Sequence, residues 1–215
     1  MRTRMITEEE LSNRLLEKFG RNEPIFTSEI IDVWKEYSRP RVFQLLKEFV
    51  DSGIIVKNMT GVYYFPTTRV TGKQSVLNRQ KVMDKKYVYY GEMIFGYYSG
   101  LTLLNGLHLT TQMPFHIELV TSRTSTPVRK IWHGKASLTV RRSKVPITNK
   151  NVHTLMLLEA FTEMGRPLEK EETAYMREFV ELRGVKEEDV LRYAKHFPAH
   201  TLESLLGTGM KNIFA

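Results

Sequence analysis

Between Thr7 and Gly20 the apolar residues Leu11, Leu15 and Phe19 recur at helical spacing, which predicts a first helix with one buried stripe. Thr7 followed three residues later by Glu10 makes a capping box. Ile6 is placed to staple onto Leu11, Glu8, Glu9 and Glu10 suit the positive helix end, and Gly20 stops the run. A second helix is predicted from near Thr27, with Ile30, Ile31, Trp34 and Tyr37 turned inward. Ser38 caps a third helix that tolerates Pro40 in its first turn and ends at Gly53. Its core stripe is Val42, Leu45, Leu46 and Phe49, at i, i+3, i+4 and i+7. Next come IIVKN, a Met59-Thr60-Gly61 turn and VYYFP, which read as a tight hairpin. Helices followed by a hairpin around one small core, over residues 1–66, are the pattern of a winged helix-turn-helix.

Residues 67–74 read as a linker, and a mixed α+β domain is expected over 75–215. Ser75–Asp84 is predicted as a short helix carrying Arg79 and Lys81, Lys86–Tyr90 as strand-like, and Gly96–Leu107 as a compact helix. Strands are expected at Phe115–Ser122, Val128–His133 and Lys135–Val145, and a long helix at Asn151–Met164 with mixed periodicity through Glu159. Residues 168–206 read as charged amphipathic helices broken at Gly184 and Pro198, and GTGMKNIFA as a loose tail. The fold class expected is therefore α+β, a winged helix-turn-helix followed by a mixed domain whose sheet is covered by C-terminal helices.

Charge sharpens this picture. The 215 residues carry a net +8, unevenly spread: residues 91–150 hold eight basic against two acidic side chains, and residues 151–215 eight against eleven. A basic excess in the first two thirds favours a polyanionic partner through counterion release. On the third helix Arg39, Arg41, Gln44 and Lys47 lie off the core stripe, and such side chains pair with base edges or phosphates. Lys57 and Asn58, read as the hairpin tip, would touch a phosphate or the minor groove. Glu48 and Asp51 repel phosphate, which concentrates contacts in the N-terminal half of the helix. A second basic surface is expected from Arg129, Lys130, Lys135, Arg141, Arg142 and Lys144, although Arg141 and Arg142, as strand neighbours, point to opposite faces.

Catalysis finds little footing. Cysteine is absent, so disulfides and thiolate zinc sites are excluded. His116 and Glu118 alternate on one strand without a third ligand at metal spacing, and no P-loop, GxSxG or dinucleotide fingerprint occurs. Neither an enzyme nor a cofactor is expected. The start MRTRMITEEE lacks an apolar h-region and no membrane-length apolar run occurs, which makes a cytoplasmic protein the expectation.

The run YYGEMIFGYYSGLTLLNGLHLTTQMP, followed by IELVTSRTS and KASLTVRRSKV, resembles the AbiEi-type antitoxins of type IV, abortive-infection toxin–antitoxin systems. The likeness rests on Tyr98-Ser99-Gly100-Leu101, Leu104 with Gly106-Leu107, Thr110-Thr111-Gln112-Met113-Pro114 and Val120-Thr121, and spans roughly residues 5–160. It implies an antitoxin whose winged helix binds inverted repeats in its own promoter and represses the operon. It also implies opposition to a nucleotidyltransferase-like toxin without a stable complex. On that resemblance Arg39, Arg41, Gln44 and Lys47 take the recognition-helix role, Lys57 and Asn58 the wing, and the Arg141, Arg142, Lys144 strand the second basic surface. Three other classes stay open: a plasmid replication initiator binding iterated origin repeats, a Mg²⁺ nuclease dependent on Glu118, and a protein-interaction module without salt-dependent DNA binding.

Overall fold

In the computed structural model, which describes residues 7–68, 72–133 and 136–214, the chain is α+β and divides into two compact units, Met1–Met83 and Asp84–Ala215. Among the described residues no helix is long and apolar enough to cross a membrane.

The first unit runs α1 (Glu8–Phe19), β1 (Ile25–Phe26), α2 (Thr27–Val33), α3 (Arg39–Asp51), β2 (Val56–Met59), β3 (Val62–Tyr64) and α4 (Arg79–Met83). Helix α1 starts as its sequence dictates: Thr7 Oγ1 accepts from Glu10 N at 3.2 Å, and the Glu10 carboxylate accepts from Thr7 N at 2.9 Å. Ile6, the expected staple, lies outside the described residues. Ser38 occupies the N-cap of α3 in extended backbone, but its hydroxyl makes no capping bond, contrary to expectation. The stripes of α1, α2 and α3 converge on Trp34. Its ring meets Phe49 edge-on at 5.4 Å, and its Nε1 donates to the Leu11 carbonyl at 3.2 Å, so the one polar atom of the core's largest side chain is satisfied. Strand β1 pairs antiparallel with β3, and β3 with β2, giving the sheet order β1-β3-β2.

The unit extends beyond Pro66, where the sequence suggested a linker. Tyr64 Oη donates to the Ser75 carbonyl at 2.9 Å, Thr67 N to Ser75 Oγ at 2.9 Å, and Lys81 pairs with Glu23. These bonds fold residues 72–83 back onto the first core.

The second unit opens with a π-helical turn at Asp84–Val88 where a strand was expected. It continues β4 (Tyr89–Tyr90), β5 (Met93–Ile94), β6 (Gly96–Ser99), α5 (Gly100–Gly106), β7 (Ile117–Thr121), β8 (Val128–His133), β9 (Ala136–Arg142), α6 (Val152–Met164), α7 (Lys170–Arg183), α8 (Glu187–Ala194), α9 (Ala199–Thr208) and α10 (Met210–Phe214). The expected helix over Gly96–Leu107 thus begins as a strand. Gly96 is obligatory there, because an added Cβ would lie 2.0 Å from the Tyr87 carbonyl oxygen and 2.8 Å from that of Val120. The supposed loose tail is α10, whose Ile213 is fully buried.

The larger sheet has the order β6-β7-β9-β8, with β7 and β9 parallel and the other pairs antiparallel. One face carries Tyr97, Ser99, Glu118, Val120, Thr139 and Arg141, and packs Tyr97 and Val120 against Val152 and Leu155 of α6. Helix α6 is apolar nearly all round because α5, α7, α8 and α9 bury its remaining sides, where Leu157, Leu158, Ala160 and Phe161 join Leu103, Met176, Val190 and Leu205.

Candidate nucleic-acid interface

Helix α3 turns four apolar side chains inward and therefore leaves an arc of about half its circumference outside the core. That arc runs from Arg39 through Phe43 and Lys47 to Gln44, all exposed. Arg41 lies at its margin with Glu48, two turns further on, and its Nη1 donates to Glu48 Oε1 at 3.2 Å. Arg41 is thus partnered within its own helix, and the exposed arc presents Arg39, Phe43, Gln44 and Lys47, with Pro40 in the first turn and Asp51 at the C-terminal end. Phe43, 52% exposed, was missed by sequence reasoning. Its signal was an aromatic lying off an otherwise complete core stripe. A phenyl ring between a guanidinium and an ammonium group suits the apolar methyl of thymine as the others suit base edges and phosphates.

The hairpin is shorter than a projecting wing. Its turn is Thr60-Gly61, with Gly61 at φ +76°, and the Gly61 carbonyl accepts from Thr27 N at 3.0 Å, which ties the turn to the start of α2. Lys57 and Asn58 are not at the tip. They sit within β2, Lys57 opposite Tyr63, and Asn58 is the extra residue of a β-bulge before Met59. The sequence marked the turn through Gly61, but one bulged residue moved the pair back along the strand. Lys57 is exposed and Asn58 partly so.

The second basic surface divides. Arg129 and Lys130 lie exposed on β8, the outermost strand. Arg129 is opposite Val140 and shares its face with Arg142, which is exposed and donates from Nη1 to the Ser125 carbonyl at 3.1 Å. Lys130 is opposite Thr139, on the other face, and Lys144 follows β9, exposed. Lys135 lies outside the described residues.

Arg141 is not part of any open basic surface. Its Nη2 donates to Ser99 Oγ at 2.7 Å and to the Glu159 carboxylate, lies 3.6 Å from Glu163 Oε1, and its Nε is 3.8 Å from Glu118 Oε2. Glu159, only 4% exposed, also accepts from Tyr97 Oη at 3.4 Å and from Ser99 Oγ at 2.6 Å. Burial works against the Arg141 cation, but Glu159, then Glu163 and Glu118, outweigh it and raise its pKa. Burial and repulsion from Glu159 and Glu118 push the Glu163 carboxyl upward, and burial with the Glu159 charge pushes Tyr97 well upward. One cation among three carboxylates is an internal polar junction that joins β6, β7 and β9 to α6. Glu159 was visible in the sequence only as an interruption of helical periodicity.

His116 and Glu118 do not act as a pair. His116 Nε2 lies 2.7 Å from Thr139 Oγ1 and Nδ1 contacts Ser137, whereas Glu118 turns to Arg141. Among the described residues no group of three or more His, Asp and Glu is placed to hold a metal ion. No protein-family model and no curated protein matches this chain.

Proposed function

We propose that this chain binds double-stranded DNA through α3 and the β2–β3 hairpin, as the autorepressor and antitoxin of a type IV toxin–antitoxin operon. The observation that carries the reading is the exposed arc of α3, where Arg39, Phe43, Gln44 and Lys47 stand outward on a helix braced by its own core stripe. The order helix, strand, helix, helix, strand, strand, with β1 joining the edge of the hairpin, supports a winged-helix assignment. In this reading α3 enters the major groove, where Gln44 and Lys47 meet base edges and Phe43 a thymine methyl. Lys57 on β2 meets a flanking phosphate, and Arg129, Arg142 and Lys144 of the second unit supply a further phosphate-binding surface. Arg41 contributes only when Glu48 gives it up.

The antitoxin role rests on the resemblance to AbiEi-type proteins across roughly residues 5–160. It calls for operator inverted repeats as the DNA partner and a nucleotidyltransferase-like toxin as the functional partner, with neither a cofactor nor a catalytic step of its own.

A mobility-shift series on the DNA upstream of the gene tests the reading. Gln44→Ala or Lys47→Ala is expected to cost about 1–3 kcal/mol on the operator, with a smaller loss on random DNA. Lys57→Ala is expected to weaken all sequences alike and to reduce the salt slope by about one. Equal losses on operator and random DNA for both α3 variants would remove that helix from base reading. Binding that does not respond to salt would remove DNA as the partner. The antitoxin part fails separately if co-expression leaves the adjacent-gene toxin fully active.

A further inference from the structure

Beneath α5, α6 and α7 of the second unit lies a cavity of about 350 Å³ that the DNA-binding reading does not use. Tyr97, Leu103, Leu107, Met156 and Phe179 form its walls, and its volume falls at the small-metabolite end of the usual range for ligand sites. Tyr89 and Tyr98 also line it, the hydroxyls of Tyr97 and Tyr98 being engaged by Glu159 and Asp84, and three further polar side chains border it. Thr102 borders the cavity with a buried hydroxyl that has no hydrogen-bond partner. His153 stands edge-on to Phe179 at 6.1 Å between ring centroids. Arg183, the last residue of α7, brings a guanidinium that is exposed and has no ion pair among the described residues. No acidic residue lines the cavity.

We propose that this cavity is a binding site for a small monoanionic amphiphile, an aromatic or branched hydrocarbon body carrying one carboxylate. Apolar walls of this extent take a hydrocarbon body out of water and leave few places for polar atoms. A lone guanidinium at the rim presents forked donors matched to a carboxylate. The absence of lining carboxylates disfavours a cationic ligand, and the small volume disfavours a peptide or a lipid. His153 is held below the ordinary imidazole range, first by burial and then by the Arg183 charge, so the ring is a neutral hydrogen-bonding group and the site carries a single positive charge. One charge calls for one anion.

Titration calorimetry of the full chain with three naphthalene probes tests this: 2-naphthoate, neutral 2-naphthalenemethanol and cationic 2-naphthylmethylammonium. Naphthoate is expected to bind about tenfold more tightly than the alcohol, as one charge-assisted pair allows, and the ammonium most weakly. Arg183→Gln should remove the preference for naphthoate while leaving the alcohol's affinity unchanged. Lys170→Gln, which removes a cation from the other end of the same helix, should change nothing. The proposal is overturned if naphthoate fails to bind or binds no tighter than the alcohol, or if it loses as much affinity in Lys170→Gln as in Arg183→Gln.

Discussion

Replacing Arg141 by Met removes the only cation from a junction in which Glu159 is nearly sealed from water and Glu163 and Glu118 stand within 4 Å. Methionine keeps the unbranched stem and its packing, so the change isolates the charge. Removing one partner of a fully buried pair costs about 3–5 kcal/mol, because the remaining charge loses its compensation. A third of the Arg141 side chain is exposed, which lowers the expectation to about 2–4 kcal/mol. For a unit of this size that is a fall of about 10 °C in the unfolding midpoint, read by calorimetry at pH 7. Glu159→Gln alone should also destabilise, since it strands Arg141. The double variant should recover a large part of the summed losses, because each change removes what the other left uncompensated. The loss in Arg141→Met should shrink as the pH falls, when protonation relieves the carboxylates. A midpoint shift below about 2 °C, or single effects that add without recovery, would refute the account of a charge-balanced junction. The same measurement guards against misreading a DNA-binding defect, since Arg142→Ala, one residue away and outward, should leave the midpoint within about 2 °C.

Three further outcomes are expected. Glu163→Gln should gain stability relative to the parent as pH rises from about 4 to 7. The raised pKa means that the folded parent contributes stability below the ordinary value of 4.5 and loses it as pH climbs through the raised one, and chemical denaturation at several pH values reads the difference. Gly96→Ala should cost at least about 3 kcal/mol by urea unfolding, because its methyl would meet two backbone oxygens that have no side-chain freedom to move aside. Thr7→Ala should cost the first unit about 1 kcal/mol by the same method through loss of the α1 capping box.

What the sequence conveyed was mostly local. The capping box at Thr7 and Glu10, the stripe Val42, Leu45, Leu46 and Phe49, and the stops at Gly53 and Gly184 all depend on neighbours within two turns, and each is realised. Strand β8 falls on its expected bounds, Val128–His133. The differences arise where distant residues decide. The segment 72–83 joins the first core through Tyr64, Thr67 and Glu23, partners that no local pattern announces. From Met210 onward the supposed tail forms a helix because Ile213 finds a buried site in the core with Met176 and Leu205. Among candidate functional residues, Gln44 and Lys47 stand where amphipathicity placed them. Arg141 was counted as surface because a strand's alternation shows which residues share a face, not what packs on that face. Lys57 and Asn58 shifted by a single bulged residue, a feature with no sequence signal as plain as the glycine of the turn.

Strand β8 ends its sheet with no further strand beyond it among the described residues. A border of that kind offers a row of backbone donors and acceptors on which a second molecule could extend the ribbon. Arg129 and Lys130 occupy successive positions there, one on each face, so an approaching copy would bring like charges together whichever side it presented. Even where they meet no phosphate, these two cations discourage the chain from polymerising through its own margin.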